Sequence, residues 1–286
     1  MSTVLPDCMR HTSNPAGKAF IDIQHPAVEA RIALEGAHLL QCVPAGQRPL
    51  LWVSPDDPQL PGKALRGGIP LCWPWFGGDR PTGAHGIARR LLWQLTAATE
   101  DEQGVYLRFD LPPERIAEAL PDEPWQVHVE YRLNSAIDVR LTTTNAGQQP
   151  MRLTQALHTY LPVSDIHRVR ISGLDQAAYI DAVDGWKQKS QTGDIDFTGE
   201  LDRIYHGHAA SVRLHDSRYP VVVERRGSES VVVWNPWQAK SLRLSEFPAE
   251  GYLGMLCIEA ANAGPDARQI QPGQSHTLGT RLSRPD

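Results

Sequence analysis

The sequence predicts an all-β fold, a single large antiparallel β-sandwich, and three observations support this prediction. Apolar residues alternate with polar ones over many short segments, as they do in strands with one buried face. Clusters of Gly, Pro, Asp and Asn separate these segments, as turns do between antiparallel strands. Only one segment has the features of a helix. Many short strands joined by tight turns are typical of sheets packed face to face.

The clearest alternation runs through WQVHVEYRL (125–133) and IDVRLTTTN (137–145), with a short turn at Asn134-Ser135 between them. The single predicted helix is PPERIAEALP, which has Pro112-Pro113 before its first turn and Pro121 just beyond its end. Further segments with strand-like alternation are AFIDIQH, VEARIAL, GVYLRFDL, SVRLHD, YPVVVERR, SVVVWNP, GYLGMLCIEA and HTLGTRL.

Composition supports a protein that folds around a sizeable core. The chain has 286 residues, of which 41% are apolar, and no composition shift marks a domain boundary, so we expect one domain over residues 1–286. A formal net charge of -5 gives no general attraction to nucleic acid. No apolar run is long enough for a membrane span, and the N-terminal segment lacks the apolar core of a secretory signal. We therefore expect a cytoplasmic protein that binds neither nucleic acid nor membranes.

The absence of several local motifs argues against several kinds of chemistry. The chain has no G-x-S-x-G, Walker A, H-E-x-x-H or G-x-G-x-x-G motif and no acidic calcium loop. Its four cysteines lie far apart, which is typical of reduced, buried thiols rather than of a zinc site. His206 and His208 form a lone H-x-H, which is only a weak metal signal. We predict no metal site.

His158 and Glu259 are the two candidates for proton transfer. In MRLTQALHTYLP, a strand would place His158 on a mixed polar face with Arg152, Thr154, Ala156 and Tyr160. In GYLGMLCIEAAN, alternation places Glu259 on the apolar face of Leu253, Met255 and Cys257, where desolvation would raise the pKa of its carboxyl. A structural histidine and a strand-end glutamate that reaches solvent or pairs with arginine are the alternatives. Spacing does not indicate whether the two side chains meet.

Six segments together resemble the hexose-6-phosphate mutarotases, also called glucose-6-phosphate 1-epimerases, of the aldose 1-epimerase superfamily. The resemblance extends from about Leu65 to Asn262, and its most specific part is the set RGGIP, WPWFG and HGIAR. It implies a galactose-mutarotase-like β-supersandwich with an open cleft on one concave sheet, and a monomer. The segments, in the family's order, are LRGGIPLCWPWFG, AHGIARRLLWQL, ALHTYLPVSDI, LDRIY, VVWNPW and LCIEAAN.

The resemblance implies a cofactor-independent isomerase that interconverts the α and β anomers of a hexose 6-phosphate. It assigns Glu259 as the base that takes the anomeric hydroxyl proton and His158 as the acid that protonates the ring oxygen. We expect a neighbouring carboxylate, Asp202, to raise the pKa of His158 so that it is protonated. No metal or organic cofactor is required.

The substrate-binding residues implied by the resemblance are Arg66, Arg89, Asp202 and His85. The two guanidinium groups would clamp the phosphate through paired hydrogen bonds. Gly67-Gly68 and Gly86 would let the backbone approach closely or adopt positive φ. Ala84 departs from the family, in which a polar residue, often glutamine, precedes this histidine, so one expected hydrogen bond to the substrate is missing.

Two other functions remain open from the sequence: an aldose 1-epimerase for unphosphorylated sugars and a non-catalytic carbohydrate-binding module. The sequence does not rank the hexose 6-phosphates, and segment 181–205 fits either an ordered cleft rim or a mobile lid. We expect Trp73 and Trp75 to pack in the core, and Lys63, Arg80 and Arg90 to be solvated charges.

Overall fold

The computed structural model describes residues 3–208 and 210–285. Its first four strands form a sheet of their own, in the order β1-β2-β3-β4. They are β1 (Met9–Ser13), β2 (Ala19–His25), β3 (Val28–Ala33) and β4 (His38–Pro44).

Nineteen further strands follow within the described residues. The strands as far as β12 are β5 (Leu71–Cys72), β6 (Gln94–Asp101), β7 (Gly104–Asp110), β8 (Trp125–Leu133), β9 (Ala136–Asn145), β10 (Met151–Leu153), β11 (Gln155–Leu157) and β12 (Tyr160–Pro162). The remaining strands are β13 (Arg170–Ser172), β14 (Ala178–Asp181), β15 (Lys187–Ser190), β16 (Ile195–Asp196), β17 (Leu201–His206), β18 (Val212–His215), β19 (Val221–Arg226), β20 (Ser230–Asn235), β21 (Met255–Asn262), β22 (Arg268–Ile270) and β23 (Ser275–Ser283).

Two large antiparallel sheets dominate the molecule. The nine-stranded sheet has the order β16-β13-β18-β19-β23-β9-β8-β7-β6. The eight-stranded sheet has the order β15-β14-β17-β20-β21-β11-β5, and β12 also pairs with β21. Val129 and Leu278 of the first sheet belong to the same buried cluster as Leu157, Val233 and Ile258 of the second. The predicted sandwich of face-to-face sheets is therefore confirmed.

A second apolar cluster covers the other face of the eight-stranded sheet. In β21, Leu256 and Ile258 point into the main core, whereas Met255, Cys257 and Ala261 point into this second cluster. All eight residues of β21 are buried. Burial on both faces explains why MLCIEAAN is almost continuously apolar rather than alternating.

The helices lie outside the sheets. The predicted helix is confirmed as α1 (Pro113–Ala119), and a second one, α2 (Trp237–Ser241), was not predicted. Segment 251–254, predicted to extend the strand of Glu259, contains a 3₁₀ turn instead, so Leu253 packs against the main core and not beside Met255. The 3₁₀ turns are Ala88–Arg90, Ile166–Arg168, Gly251–Leu253 and Gly264–Asp266.

Helix length also bears on membranes: none of the helices among residues 3–208 and 210–285 is long and apolar enough to cross a bilayer.

Segment 61–90 contains two tryptophans that were expected in the core and Arg80, which was expected to be solvated. Trp73 is buried in the main core, where its indole N–H donates to Thr143 Oγ1 at 2.9 Å, and Trp75 is buried as well. Both agree with the prediction. Arg80, predicted to be solvated, instead forms a two-pronged ion pair with Glu123 and lies over the Trp75 ring.

Candidate active site

The structure brings His158 and Glu259 together. Strands β11 and β12 both pair with β21, and His158 lies in the short break between them. The break places the imidazole opposite Glu259, with 3.3 Å between His158 Nε2 and Glu259 Oε1. Both groups lie on the face of the second apolar cluster rather than in the main core. An imidazole and a carboxyl group at this distance can share and transfer a proton.

Both groups are withdrawn from water but keep free polar atoms. The Glu259 side chain is 1% exposed and that of His158 is 12% exposed. Within the described part of the chain, Glu259 Oε2 and His158 Nδ1 have no hydrogen-bond partner. Buried polar atoms without partners are costly in a purely structural role, so these two favour a site that meets a ligand.

Burial moves the two pKa values in opposite directions. It raises the pKa of the Glu259 carboxyl well above its usual range, and the negative charge of Asp202 adds to this shift. It lowers the pKa of His158 well below its usual range, with further lowering from His85, Arg89 and Arg66. Both directions favour a neutral pair with one proton on Glu259. Our expectation that Asp202 raises the pKa of His158 was wrong, because its charge acts on Glu259.

Arg66 lies on one flank of the pair. Its guanidinium donates to the Tyr160 hydroxyl at 3.5 Å and to the Ser245 carbonyl at 3.3 Å. The turn that follows is possible because Gly67 and Gly68 have φ values of 122° and 63°. A Cβ on Gly68 would lie 2.3 Å from the Leu39 carbonyl oxygen, so glycine allows this turn to pack directly against β4.

Arg89 lies in the 3₁₀ turn Ala88–Arg90. Its Nη2 donates to the carbonyl of Ala84 at 3.0 Å, and its Nε has no partner among the described residues. Its charge lowers the pKa of both His158 and His85, so the guanidinium lies near both imidazoles. Ala84 holds Arg89 through its backbone carbonyl.

His85 and Asp202 are the last two of the six site residues selected from the sequence. The His85 ring lies edge-on to that of His158, with 5.5 Å between centroids, and burial lowers the pKa of His85 to about 3. Asp202 in β17 is opposite Trp234 in β20, and its carboxylate lies 3.7 Å from Lys240 Nζ. Burial raises the pKa of Asp202. All six residues selected from the sequence therefore border one site.

Aromatic side chains that the sequence did not assign to the site form its wall. The His158 ring stacks on Tyr160 at 4.9 Å, and the Trp234 ring meets it edge-on at 6.0 Å. Trp52 stacks on the far side of Tyr160 at 5.9 Å. Alternation places Tyr160 on the face of His158, but it does not distinguish a cleft wall from a core.

A third polar group, Cys257, lies beside the pair. The Cys257 Sγ and one donor atom each from His158 and Glu259 lie within 4.8 Å of one another, as a divalent-metal site requires. Burial raises the pKa of the Cys257 thiol well above its usual range. A thiol binds a metal as the thiolate, so metal binding at this cluster would have to release the Cys257 proton.

Similarity to known proteins identifies the family of this chain. The family model described as "Aldose 1-epimerase" matches residues 20–283. The chain belongs to the aldose 1-epimerase family. The family predicted from the motifs is thereby confirmed.

Relatives within the family are similar over most of their length. Proteins of Salmonella typhimurium and Escherichia coli, both named "Putative glucose-6-phosphate 1-epimerase", are 34% identical over 261 residues. The match to the Salmonella protein covers 89% of this chain and 87% of that protein. The match to the E. coli protein covers 90% of this chain and 87% of that protein. A crystal structure of a "putative mutarotase (YeaD)" from S. typhimurium has a TM-score of 0.90 and 31% identity, covering 98% of this chain and 95% of that one.

Proposed function

We propose that this protein interconverts the α and β anomers of a hexose 6-phosphate, with glucose 6-phosphate as its substrate. The observation that carries the proposal is the 3.3 Å contact between His158 and Glu259, with Arg89 and Arg66 close enough for their charges to lower the pKa of His158 further than burial does. The names of the curated relatives support the same substrate.

Ring opening of the hemiacetal needs one base and one acid. Glu259 takes the proton of the anomeric hydroxyl while His158 Nε2 gives a proton to the ring oxygen, and the bond between C1 and the ring oxygen breaks to leave an aldehyde. Rotation about C1–C2 presents the other aldehyde face. Closure reverses both transfers, so the pair ends with the single proton it began with.

The substrate's phosphate prepares the pair for this step. Burial is the main cause of the lowered pKa of His158, and the charges of Arg89 and Arg66 lower it further. A phosphate held between the two guanidinium groups neutralises them, which removes part of this lowering. The proton of the neutral pair then moves from Glu259 to His158, and the pair becomes a carboxylate base and an imidazolium acid. His85 and Asp202 bind hydroxyl groups of the sugar.

No step of this mechanism requires a metal or organic cofactor. We further propose that the protein acts as a cytoplasmic monomer in which residues 1–286 form one domain. Sedimentation of the purified protein tests its oligomeric state.

Exchange NMR of the anomeric protons tests the function. At neutral pH and low buffer concentration, we expect the protein to accelerate anomer exchange of glucose 6-phosphate far more than that of glucose. Glu259→Gln keeps the size of the side chain but removes the base, so we expect exchange to fall by about 10²–10⁴-fold while the sugar phosphate still binds.

Other results of the exchange experiment would support one of the two alternative functions or exclude Glu259 as the base. Equal acceleration of glucose and its 6-phosphate would indicate an epimerase of unphosphorylated sugars. Binding without acceleration would indicate a carbohydrate-binding module, and full activity of E259Q would exclude Glu259 as the base.

A further inference from the structure

A second cavity lies on the same face of the eight-stranded sheet as the active site. It has a volume of about 330 Å³, and none of the six proposed site residues lines it. Its apolar walls include Phe76, Ile180, Trp186, Ile204 and Ala263. The space is large enough for one sugar ring.

The cavity lies two strands away from the catalytic pair, on the same face of the sheet. Glu259, Val232, Ile204 and Ile180 are successive cross-strand neighbours in β21, β20, β17 and β14. Adjacent strands are about 4.8 Å apart, so Ile204 at the cavity floor lies about 10 Å from Glu259, the distance of a neighbouring sugar subsite. Phe76 forms a shared wall, because its ring also packs against His85 at 5.1 Å.

Trp186 gives the cavity an aromatic platform. The residue lies in the turn between β14 and β15, and 65% of it is exposed to solvent. Its φ of 61° is in the left-handed region, which a bulky side chain rarely adopts. Its indole is therefore held at the surface and not in the core. Its flat face suits the C–H groups of a sugar ring.

Polar groups at one end of the cavity supply hydrogen bonds. Asp79 accepts hydrogen bonds from Arg152 and from the Thr154 hydroxyl, and all three residues line the cavity. The Arg152 side chain is 54% exposed, so its remaining N–H groups are free to meet a ligand. A carboxylate and a guanidinium in contact can together bind neighbouring hydroxyl groups.

Arg66 and this cavity lie toward opposite ends of β21. Arg66 donates to Tyr160, which pairs with Cys257, whereas the cavity borders Ala263 just beyond the other end of the strand. A hexose with its 6-phosphate at Arg66 therefore directs the opposite edge of its ring toward the cavity.

We propose that this cavity is a subsite for a second hexose ring, linked through O2, O3 or O4 of the reducing hexose 6-phosphate. The inference rests on the proposed function, because O1 must stay free for mutarotation and O6 carries the phosphate. The protein then acts on disaccharide phosphates as well as on the monosaccharide.

The test uses the 2-O-, 3-O- and 4-O-glucosyl derivatives of glucose 6-phosphate, each with the phosphate on the reducing ring. Saturation-transfer NMR reports contact with the second ring, and exchange NMR reports turnover. We expect Trp186→Ala to weaken the affinity for the best isomer about tenfold and to leave exchange of glucose 6-phosphate unchanged. W186F should retain part of the affinity. V183A is the matched control, because Val183 lies in the same turn and outside the cavity lining.

Each other outcome is informative. If no isomer is contacted through its second ring while glucose 6-phosphate is turned over, the subsite is wrong and the proposed function stands. If W186A weakens glucose 6-phosphate to the same extent, the cavity belongs to the monosaccharide site and the inference is overturned. If glucose 6-phosphate is not turned over, the proposed function fails, and Trp186-dependent contact with the second ring still supports the subsite.

Discussion

At the scale of single residues, the site depends on charges held close to groups that burial has neutralised. His158 and Glu259 are almost completely buried, and burial drives both toward the neutral state. Arg89 and Arg66 are nearby positive charges, and they lower the pKa of His158 further than burial does. The charges proposed to bind the phosphate therefore also favour the neutral imidazole.

The arginine clamp predicts a selective loss of affinity. Arg66→Gln or Arg89→Gln removes a charged donor, which contributes about 1.5–3 kcal/mol to a hydrogen bond with an anion. We expect the KM for glucose 6-phosphate to rise about 10–100-fold. Steady-state rates of anomerisation measure this effect.

Arg90→Gln is the control, because Arg90 adjoins Arg89 in the chain but is exposed. An unchanged KM in both R66Q and R89Q would contradict the clamp.

At the scale of secondary structure elements, the site depends on interruptions in regular strands. His158 faces Glu259 because the chain breaks between β11 and β12 while both strands continue to pair with β21. The segment with Arg89 reaches the site through Gly86, which has a φ of 70° and forms an isolated bridge with Trp73. Close contact between backbones holds this segment in place.

Gly86→Ala is expected to destabilise the protein by about 2–5 kcal/mol. The left-handed φ costs about 1–2 kcal/mol for a residue with a Cβ, and overpacking adds about 1–3 kcal/mol. Overpacking arises because a Cβ on Gly86 would lie 1.9 Å from the Trp73 carbonyl oxygen. Urea unfolding measures the change.

Gly46 provides the matched control. It also has a φ of 70°, but a Cβ there would meet nothing within 4 Å. Gly46→Ala should therefore cost only about 1–2 kcal/mol, and equal losses in the two variants would refute the role of the close contact.

At the scale of the whole molecule, several histidines are buried in the neutral form. Burial lowers the pKa of both His38 and His85 to about 3, and it lowers the pKa of His158 as well. In the unfolded chain these groups take up protons below about pH 6.5. Between pH 3 and 6.5, His38 and His85 therefore bind more protons in the unfolded state, so their contribution to the free energy of unfolding falls as the pH falls.

His38→Gln is expected to reduce this pH dependence. His38 Nε2 is 2.7 Å from the Gly67 carbonyl oxygen, and glutamine keeps a hydrogen-bond donor without a titrating group. Below pH 6, the slope of the free energy of unfolding against pH should decrease by up to about 1.4 kcal/mol per pH unit. Urea unfolding at a series of pH values measures this slope. H11Q, at an exposed histidine, is the control, and an unchanged slope in H38Q would contradict the argument.

The sequence by itself determined which residues face which side of a strand. Alternation identified the strands, placed Glu259 beside Met255 and Cys257, and placed His158 beside Tyr160. It could do so because the side-chain period of a strand is a local property of the chain. The motifs in turn identified the family, since they preserve the order of the site segments.

Only the tertiary structure decided how remote segments meet. The 3.3 Å contact between His158 and Glu259 depends on the register of β11 and β12 against β21, which no local pattern encodes. The pKa of His158 is lowered rather than raised because burial and neighbours from other strands set it. Segment 181–205 forms β15, β16 and parts of β14 and β17, and its exposed Trp186 reaches the second cavity through that folding. Pairing register, burial and charge proximity are properties of the packed sheets, so they exist only once the chain has folded.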